Sequence, residues 1–182
     1  INGIFRTAHS EGRSSLFEHE VYRLLAAAGI STPRHVVVAG GADPADELLA
    51  SFAGSRVVVK IVSSGIAHKS DVGGVAIVTN QPAAVRAACR SMLAELPDRY
   101  RALLERSPQS APAEYERLDG GGLREAIARD IVGVMITEFI EADAGAASEL
   151  LVGIRNTRKF GMILSAGVGG VDTELYAGSA RR

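Results

Sequence analysis

The sequence is poor in several features that would assign it to a special class of protein. A single cysteine among 182 residues forbids a disulfide within the chain and suits a reducing compartment such as the cytoplasm. No apolar run approaches the ~18 residues of a membrane span, and we expect no signal peptide. A formal net charge of −1 lacks the basic excess of a general nucleic-acid binder. We therefore expect neither a membrane nor a nucleic acid as partner.

The remaining composition is that of an ordinary globular protein, with 47% hydrophobic and 23% charged residues. Its length allows one large domain or two small subdomains. The cysteine, Cys89, lies among apolar residues at helical spacing and is predicted to fill the core. Because the sequence starts at Ile1 rather than at a methionine and stops at Arg182, we expect a piece of a longer protein.

Local patterns predict alternating helices and strands. Ser15 and Glu18 have the spacing of a capping box, and apolar residues recur behind them every three or four positions, which predicts a helix. Two further helices are predicted at residues 43–52 and 80–96, the second ending at Pro97. Strands are predicted from the apolar runs at residues 34–39, 57–62, 75–79, 131–137, 148–155 and 161–166, of which 57–62, 75–79 and 131–137 are mostly β-branched.

This order of elements predicts an α+β fold. The connections between neighbouring strands are too short for parallel crossovers, so those strands should pair antiparallel. Residues 1–15 show no period and are predicted to be an extended lead-in. Residues 98–122 are polar, end in three glycines and are predicted to be a flexible insert between two subdomains, 16–97 and 123–182. We expect a cleft between the subdomains.

One cation interrupts the strand-like run at residues 57–62. It is Lys60, and burying an unpaired ammonium costs several kcal/mol. Lys60 should therefore either reach solvent or meet a permanent anion. It could be an ordinary lysine of an edge strand, or a point charge placed against phosphates.

The loop after this strand is rich in reactive side chains. His68, Lys69 and Asp71 follow one another closely, and the pair Gly73 and Gly74 lets backbone N–H groups approach a ligand. Histidine can act as a nucleophile and carry a covalent group. Asp71 could orient the ring, and Lys69 could neutralise a transferred phosphoryl group. The alternative is an ordinary solvated loop histidine.

Two carboxylates and a glycine-rich stretch give weaker signals. Glu138 follows the apolar run 131–137, where a carboxylate gains nothing from packing. It could belong to a functional site, or it could be an ordinary surface charge. Glu149 lies in a predicted strand whose alternation could aim it into the cleft or into solvent. Residues 167–170 lack the Walker lysine and the spacing of a dinucleotide fingerprint, so they could simply form a tight turn.

Taken in order, these motifs resemble one family. Lys60, the block at 68–75, Glu138, the run 149–153 and the stretch 167–171 follow one another as in the ATP-grasp domain of the NDP-forming (ADP-forming) acyl-CoA synthetases, the acetate–CoA ligase group. The resemblance covers nearly the whole chain. Its most specific part is the block His-Lys-Ser-Asp-x-Gly-Gly-Val.

The resemblance implies two α+β subdomains around a nucleotide cleft, in a chain that is incomplete at its C-terminal end. It implies conversion of acid, CoA and ATP into acyl-CoA, ADP and phosphate through an acyl phosphate and phosphohistidine. A CoA-binding domain or subunit of the same enzyme would be the partner, within an oligomer. We expect the chain alone not to turn over, because the magnesium ligands would follow residues 174–176.

The resemblance also implies roles for individual residues. His68 matches the phosphoryl-carrying histidine of a mobile loop, and Lys60 matches the lysine that touches the nucleotide phosphates. With Asp71, these two form the predicted catalytic set, and Gly73 and Gly74 are predicted to approach the nucleotide. The residues that match the adenine hinge and the acidic strand position of the nucleotide site are Thr137, Glu138, Phe139, Ile140 and Glu149.

Two further expectations and two alternative functions follow. The side chains of Lys60 and Glu138 should face one cleft, and residues 63–74 should be loosely held. Another ATP-grasp ligase, one that makes an acyl phosphate for an amine, is an alternative that would not need His68. A nucleotide-sensing regulatory domain of a larger protein, such as an acyltransferase, is the alternative from a different class.

Overall fold

The computed structural model describes residues 2–13, 15–66, 68–141 and 150–169. The α-helices are α1 (Asn2–Ser10), α2 (Glu18–Ala27), α3 (Asp46–Leu49), α4 (Pro82–Arg106) and α5 (Gly120–Asp130), with short 3₁₀ turns at Lys69–Val72 and Pro108–Ser110. The strands are β1 (His35–Ala39), β2 (Arg56–Ser63), β3 (Val75–Thr79), β4 (Ile131–Glu138), β5 (Leu150–Thr157) and β6 (Gly161–Val168).

Four strands form an antiparallel sheet in the order β1-β4-β2-β3. The predicted α+β class and the antiparallel pairing are confirmed. Strand β2 lies inside the sheet, between β4 and β3. Lys60 is therefore not a lysine of an edge strand, and the alternative reading that placed it there is wrong.

The two faces of the sheet differ because side chains alternate along a strand. On one face of β2, Val57, Val59 and Ile61 are at most 1% exposed and join the apolar core, to which α4 and α5 also contribute. Lys60 points to the other face. Helix α2 contacts that second face, where the rings of Tyr22 and His35 lie 4.9 Å apart.

The start of the chain differs from the prediction. Residues 2–10 form helix α1 rather than an extended lead-in, because Ile4 and Ala8, one turn apart, are both buried. Helix α2 begins later than the predicted capping box, with Phe17 as N-cap. The Glu20 carboxylate accepts the Phe17 N–H at 2.8 Å and binds the guanidinium of Arg13 through two bonds of 2.8 Å.

The predicted flexible insert is also largely helical. Helix α4 runs through Pro97 to Arg106, and α5 begins at Gly120, the first of the three glycines. Proline removes one helical hydrogen bond, but Leu96, Tyr100 and Leu104 repeat at helical spacing and are each at most 4% exposed. Burial of this apolar stripe outweighs the local cost, and the helix continues.

The chain divides into two compact units, Ile1–Phe139 and Ile140–Arg182. The predicted boundary at 98–122 therefore lies inside the first unit, because α4 and α5 pack on the same sheet. In the second unit β5 and β6 form an antiparallel hairpin, with Leu150 opposite Val168 and Thr157 opposite Gly161. No described helix is long and apolar enough to cross a bilayer.

Candidate functional site

Lys60 meets an anion on the face of the sheet that carries α2. Its Nζ lies 2.6 Å from Glu18 Oε1, and the hydroxyl of Tyr22 donates to the same oxygen at 2.6 Å. The side chains of Lys60 and Glu18 are 25% and 31% exposed, so the ion pair is half-buried. Glu18, predicted to cap a helix, instead neutralises the cation of β2.

The ionisation of these groups is coupled. Burial opposes the charge on Glu18, but the hydrogen bonds from Lys60 and Tyr22 outweigh it, so the pKa of the carboxyl lies below its usual value. Burial, and then the Glu18 carboxylate, raise the pKa of Tyr22 well above normal. Burial lowers the pKa of Lys69, whose ammonium also feels the charges of Glu18 and Lys60. Two cations, Lys60 and Lys69, and two carboxylates, Glu18 and Asp130, thus influence one another in this region.

His68 stands at an exposed position of the loop after β2. Its φ of 49° places it in the left-handed region, which is uncommon for a residue other than glycine. A 3₁₀ turn follows it directly, and Asp71 N–H donates to the His68 carbonyl at 3.0 Å. Among the described contacts, none joins the His68 ring to the Asp71 carboxylate. The idea that Asp71 orients the ring therefore remains a prediction.

The glycine pair closes the loop tightly. Gly74 N–H donates to the Lys69 carbonyl at 2.7 Å, and Ile61 N–H donates to the Gly74 carbonyl at 2.8 Å. A Cβ at Gly74 would lie 2.9 Å from the Lys69 carbonyl oxygen, and one at Gly73, where φ is 73°, would collide with the Arg99 guanidinium. Gly74 therefore requires glycine for packing, and Gly73 requires it for its left-handed backbone, whether or not a nucleotide binds there.

The first part of the loop is held by the carboxylate of Asp130, at the end of α5. Its oxygens accept hydrogen bonds from the Ser63 hydroxyl, from the Ser64 hydroxyl at 2.9 Å and from Gly65 N–H at 2.8 Å. Ile66, next in the chain, is 3% exposed. The expectation that residues 63–74 are loosely held is wrong for 63–66, because the Asp130 carboxylate binds residues 63–65 and Ile66 is buried.

The side chains of Lys60 and Glu138 do not share a cleft. Lys60 pairs with Met135 across β2 and β4, and Glu138 lies three residues further along, opposite Val57. Since side chains alternate, the two point to opposite faces of the sheet, and that expectation is wrong. Thr137 does share the face of Lys60, but its hydroxyl donates to the Arg34 carbonyl at 3.1 Å.

The remaining predicted hinge residues are exposed or at the boundary of the units. The Arg56 guanidinium lies 4.1 Å from the centre of the Phe139 ring, and Ile140 is 60% exposed. Glu149 lies outside the described residues, as do positions 170–176. Within the described ranges no three histidine, cysteine or carboxylate side chains form a metal-binding group, so no magnesium site is assigned.

The sequence interpretation missed the partners of the predicted residues. Glu18 and Tyr22 lie on one face of α2, one turn apart, and the sequence marked them only as a capping-box residue and as part of a helix. Asp130 had no signal, because it is a single carboxylate before an apolar strand. Long-range contacts of this kind join residues far apart in the chain, and a local pattern does not reveal them.

Comparison with known proteins places the chain in a family. The sequence profile of the ATP-grasp domain family matches residues 7–109, more than half of the chain. The chain therefore belongs to the ATP-grasp domain family, and the predicted resemblance is confirmed at this level.

Curated relatives specify the branch of the family. The chain is 27% identical over 173 residues to the 4-hydroxybutyrate–CoA ligase (ADP-forming) of Nitrosopumilus maritimus, covering 94% of this chain and 20% of the relative. It is 28% identical over 158 residues to the acetate–CoA ligase (ADP-forming) of Methanocaldococcus jannaschii, covering 87% of this chain and 18% of the relative. The chain is thus distantly homologous to ADP-forming acid–CoA ligases and spans about a fifth of their length.

Solved structures agree. ACD1 of Ca. Korarchaeum cryptofilum in complex with coenzyme A superposes with a TM-score of 0.60 at 27% identity. The acetyl-coenzyme A synthetase 1 of the same organism, solved with coenzyme A, Ca-AMPCP and HgCl⁺, superposes with a TM-score of 0.60 at 29% identity. In each case 96% of this chain covers 62% of the other chain.

Proposed function

We propose that this chain is the ATP-binding and phosphoryl-carrying part of an ADP-forming acyl-CoA synthetase. The observation that carries the proposal is the position of His68, exposed at the loop that leaves the strand of Lys60. A histidine beside Lys69, in the loop after the strand of Lys60, would exchange a phosphoryl group with a bound nucleotide. The homologous proteins support this interpretation, because both are ADP-forming acid–CoA ligases.

Lys60 and Lys69 would bind the nucleotide phosphates. Lys60 pairs with Glu18, and Lys69 lies in the field of the Glu18 and Asp130 carboxylates. Arriving phosphates would compete with Glu18 for the Lys60 ammonium. A half-buried region strengthens this attraction relative to open water. No step is assigned to a metal, since the described residues form no site for one.

The chemical step would be two displacements at phosphorus. An unprotonated ring nitrogen of His68 attacks the phosphoryl group of the donor, a P–N bond forms and the donor's bond to phosphorus breaks, releasing the donor with the bond's electron pair. A terminal oxygen of ADP then attacks the same phosphorus, a P–O bond forms and the P–N bond breaks. Histidine returns neutral and ATP leaves. In the synthetic direction both displacements reverse.

The donor would sit on a CoA-binding part of the same enzyme. Two related structures contain coenzyme A, and this chain spans only 62% of them. We assign recognition of the acid to that part, which must present an acyl phosphate or a phosphohistidine to His68. Catalysis by this chain then rests on positioning and on neutralising the charge of the moving group.

Replacing His68 separates this function from a generic ATP-grasp ligase. In the natural protein that contains this chain, His68→Ala should abolish ATP formation from acyl-CoA, phosphate and ADP. Release of acyl phosphate on the CoA-binding part should persist, because that step does not use His68. His9→Ala, an exposed histidine of α1, is the matched control and should keep full activity. Near wild-type ATP formation by the His68→Ala enzyme would remove the carrier role.

Replacing Lys60 tests the nucleotide site. Lys60→Ala should weaken ADP binding by about 1.5–3 kcal/mol, the value of a hydrogen bond to a charged group. Isothermal titration of ADP into both proteins measures this, with Lys159→Ala in the β5–β6 turn as control. Unchanged affinity in Lys60→Ala would mean that Lys60 only pairs with Glu18.

A further inference from the structure

The Asp130 carboxylate holds the segment that leads to His68 at several points. It accepts from the Ser63 hydroxyl, the Ser64 hydroxyl and the Gly65 N–H, three donors on three consecutive residues. The Ser63 hydroxyl oxygen in turn accepts the Ile66 N–H at 3.2 Å. A single carboxylate thus organises the four residues at which the chain leaves β2.

Two tyrosines complete the enclosure of this segment. The Tyr100 hydroxyl donates to the Gly65 carbonyl at 2.9 Å, and its ring meets the Tyr115 ring edge-on at 6.3 Å. A Cβ at Gly65 would lie 2.5 Å from Tyr115 Oη and 3.0 Å from Asp130 Oδ2, so only glycine fits. Burial, and then the nearby Asp130 charge, raise the pKa of Tyr115, which keeps its hydroxyl neutral.

This arrangement differs sharply from the residues that follow. His68 and Ser70 are exposed, while Ile66, two residues before His68, is almost fully buried. The chain therefore passes within two residues from a fixed segment to an exposed one. The hydrogen bonds to Asp130 set the direction in which the chain leaves the sheet before His68.

We propose that Asp130 is a positioning residue for phosphoryl transfer by His68. This inference rests on the proposed function. Asp130 does not contact the reacting groups. It fixes the direction in which the loop leaves the sheet, and this limits the positions that the His68 ring can reach. A loop free at this end would spread His68 over many positions, and a misplacement of about 1 Å can cost on the order of 100-fold in rate.

Two neutral substitutions separate hydrogen bonding from charge. Asp130→Ala and Asp130→Asn remove the same negative charge, which also acts on Lys69. Only the asparagine can still accept from Gly65 N–H and Ser63 while donating to the Ser64 hydroxyl. Asp98→Ala, an exposed aspartate bound by Arg124, is the matched control. Ser63→Ala, which removes one bond to Asp130, serves if Asp130→Ala does not fold.

The experiment makes three measurements on the natural protein. They are the single-turnover rate at which ATP labelled in its γ-phosphate labels His68, the dissociation constant of ADP, and the rate of hydrogen–deuterium exchange at the Gly65 amide. Asp130→Ala should label roughly 10- to 100-fold more slowly, with faster Gly65 exchange. Asp130→Asn should label within a few-fold of wild type. Asp130→Ala and Asp130→Asn should have the same dissociation constant for ADP as each other. Ser63→Ala should slow labelling by a few-fold, and Asp98→Ala should match wild type in every measurement.

Three results would overturn the inference. Asp130→Ala, or Ser63→Ala in its place, could label at the wild-type rate. Asp130→Asn could be as slow as Asp130→Ala with a shared change in ADP affinity, which would assign the effect to charge. Wild-type protein could fail to label His68 at all, which would remove the proposed function as well, while faster Gly65 exchange in the variants would still show that Asp130 holds the segment.

Discussion

At the scale of single residues, the site is a set of side chains whose partners lie far away in the sequence. The apolar run around Lys60 required an anion or solvent, and the structure supplies Glu18, 42 residues earlier. The loop before His68 is held by Asp130, 65 residues after Gly65. Residue types therefore pointed to Lys60 and His68 as candidate site residues, but not to the groups that contact Lys60 and hold the segment before His68.

The Glu18–Lys60 pair should make stability depend on pH. The folded pKa of Glu18 is lowered below its reference value of 4.5, so its contribution is complete above that pH and is lost as the pH falls through the folded pKa. Glu18→Gln should be about 1 kcal/mol less stable at neutral pH, and this difference should shrink in acid. Urea unfolding at a series of pH values measures it.

The control for this prediction is Glu47→Gln, an exposed glutamate of α3. It should leave the free energy of unfolding and its pH dependence unchanged. A Glu18→Gln protein with the same stability difference at neutral and acid pH would show that the lost contact is not ionic.

At the scale of elements, apolar patterns predicted the strands better than the helices. The β-branched runs of β2, β3 and β4 lie within two residues of their predicted limits. Helix α4 was predicted too short because local rules end a helix before Pro97, whereas burial of Tyr100 and Leu104 carries it onward. Helix α1 was missed because its buried stripe is only two residues long.

The extension of α4 can be tested by truncating a side chain beyond Pro97. Leu104 is 4% exposed, so Leu104→Ala should lower the free energy of unfolding by about 2–4 kcal/mol. Leu118, at 40% exposure in the same region, is the control, and Leu118→Ala should cost under about 1 kcal/mol. Equal small losses in both variants would support the flexible insert that the sequence suggested. Chemical denaturation gives both values.

At the scale of the whole molecule, the first unit contains the described parts of the proposed site. Lys60, His68 and Asp130 all lie within residues 1–139, around one apolar core. The resemblance identified from the sequence led to the correct family, because the motif block is local and specific. The boundary between units was misplaced, because the glycines at 120–122 open a helix instead of a linker.

Phosphorylation of His68 tests the central claim most directly. Natural protein containing this chain, given ATP and magnesium, is digested at high pH, where a phosphoramidate survives, and the modified peptide is sequenced by mass spectrometry. The account predicts a phosphoryl group on His68 that is stable in base and lost in acid. ATP turnover with no phosphate on His68, or with a stable label on another residue, would contradict it.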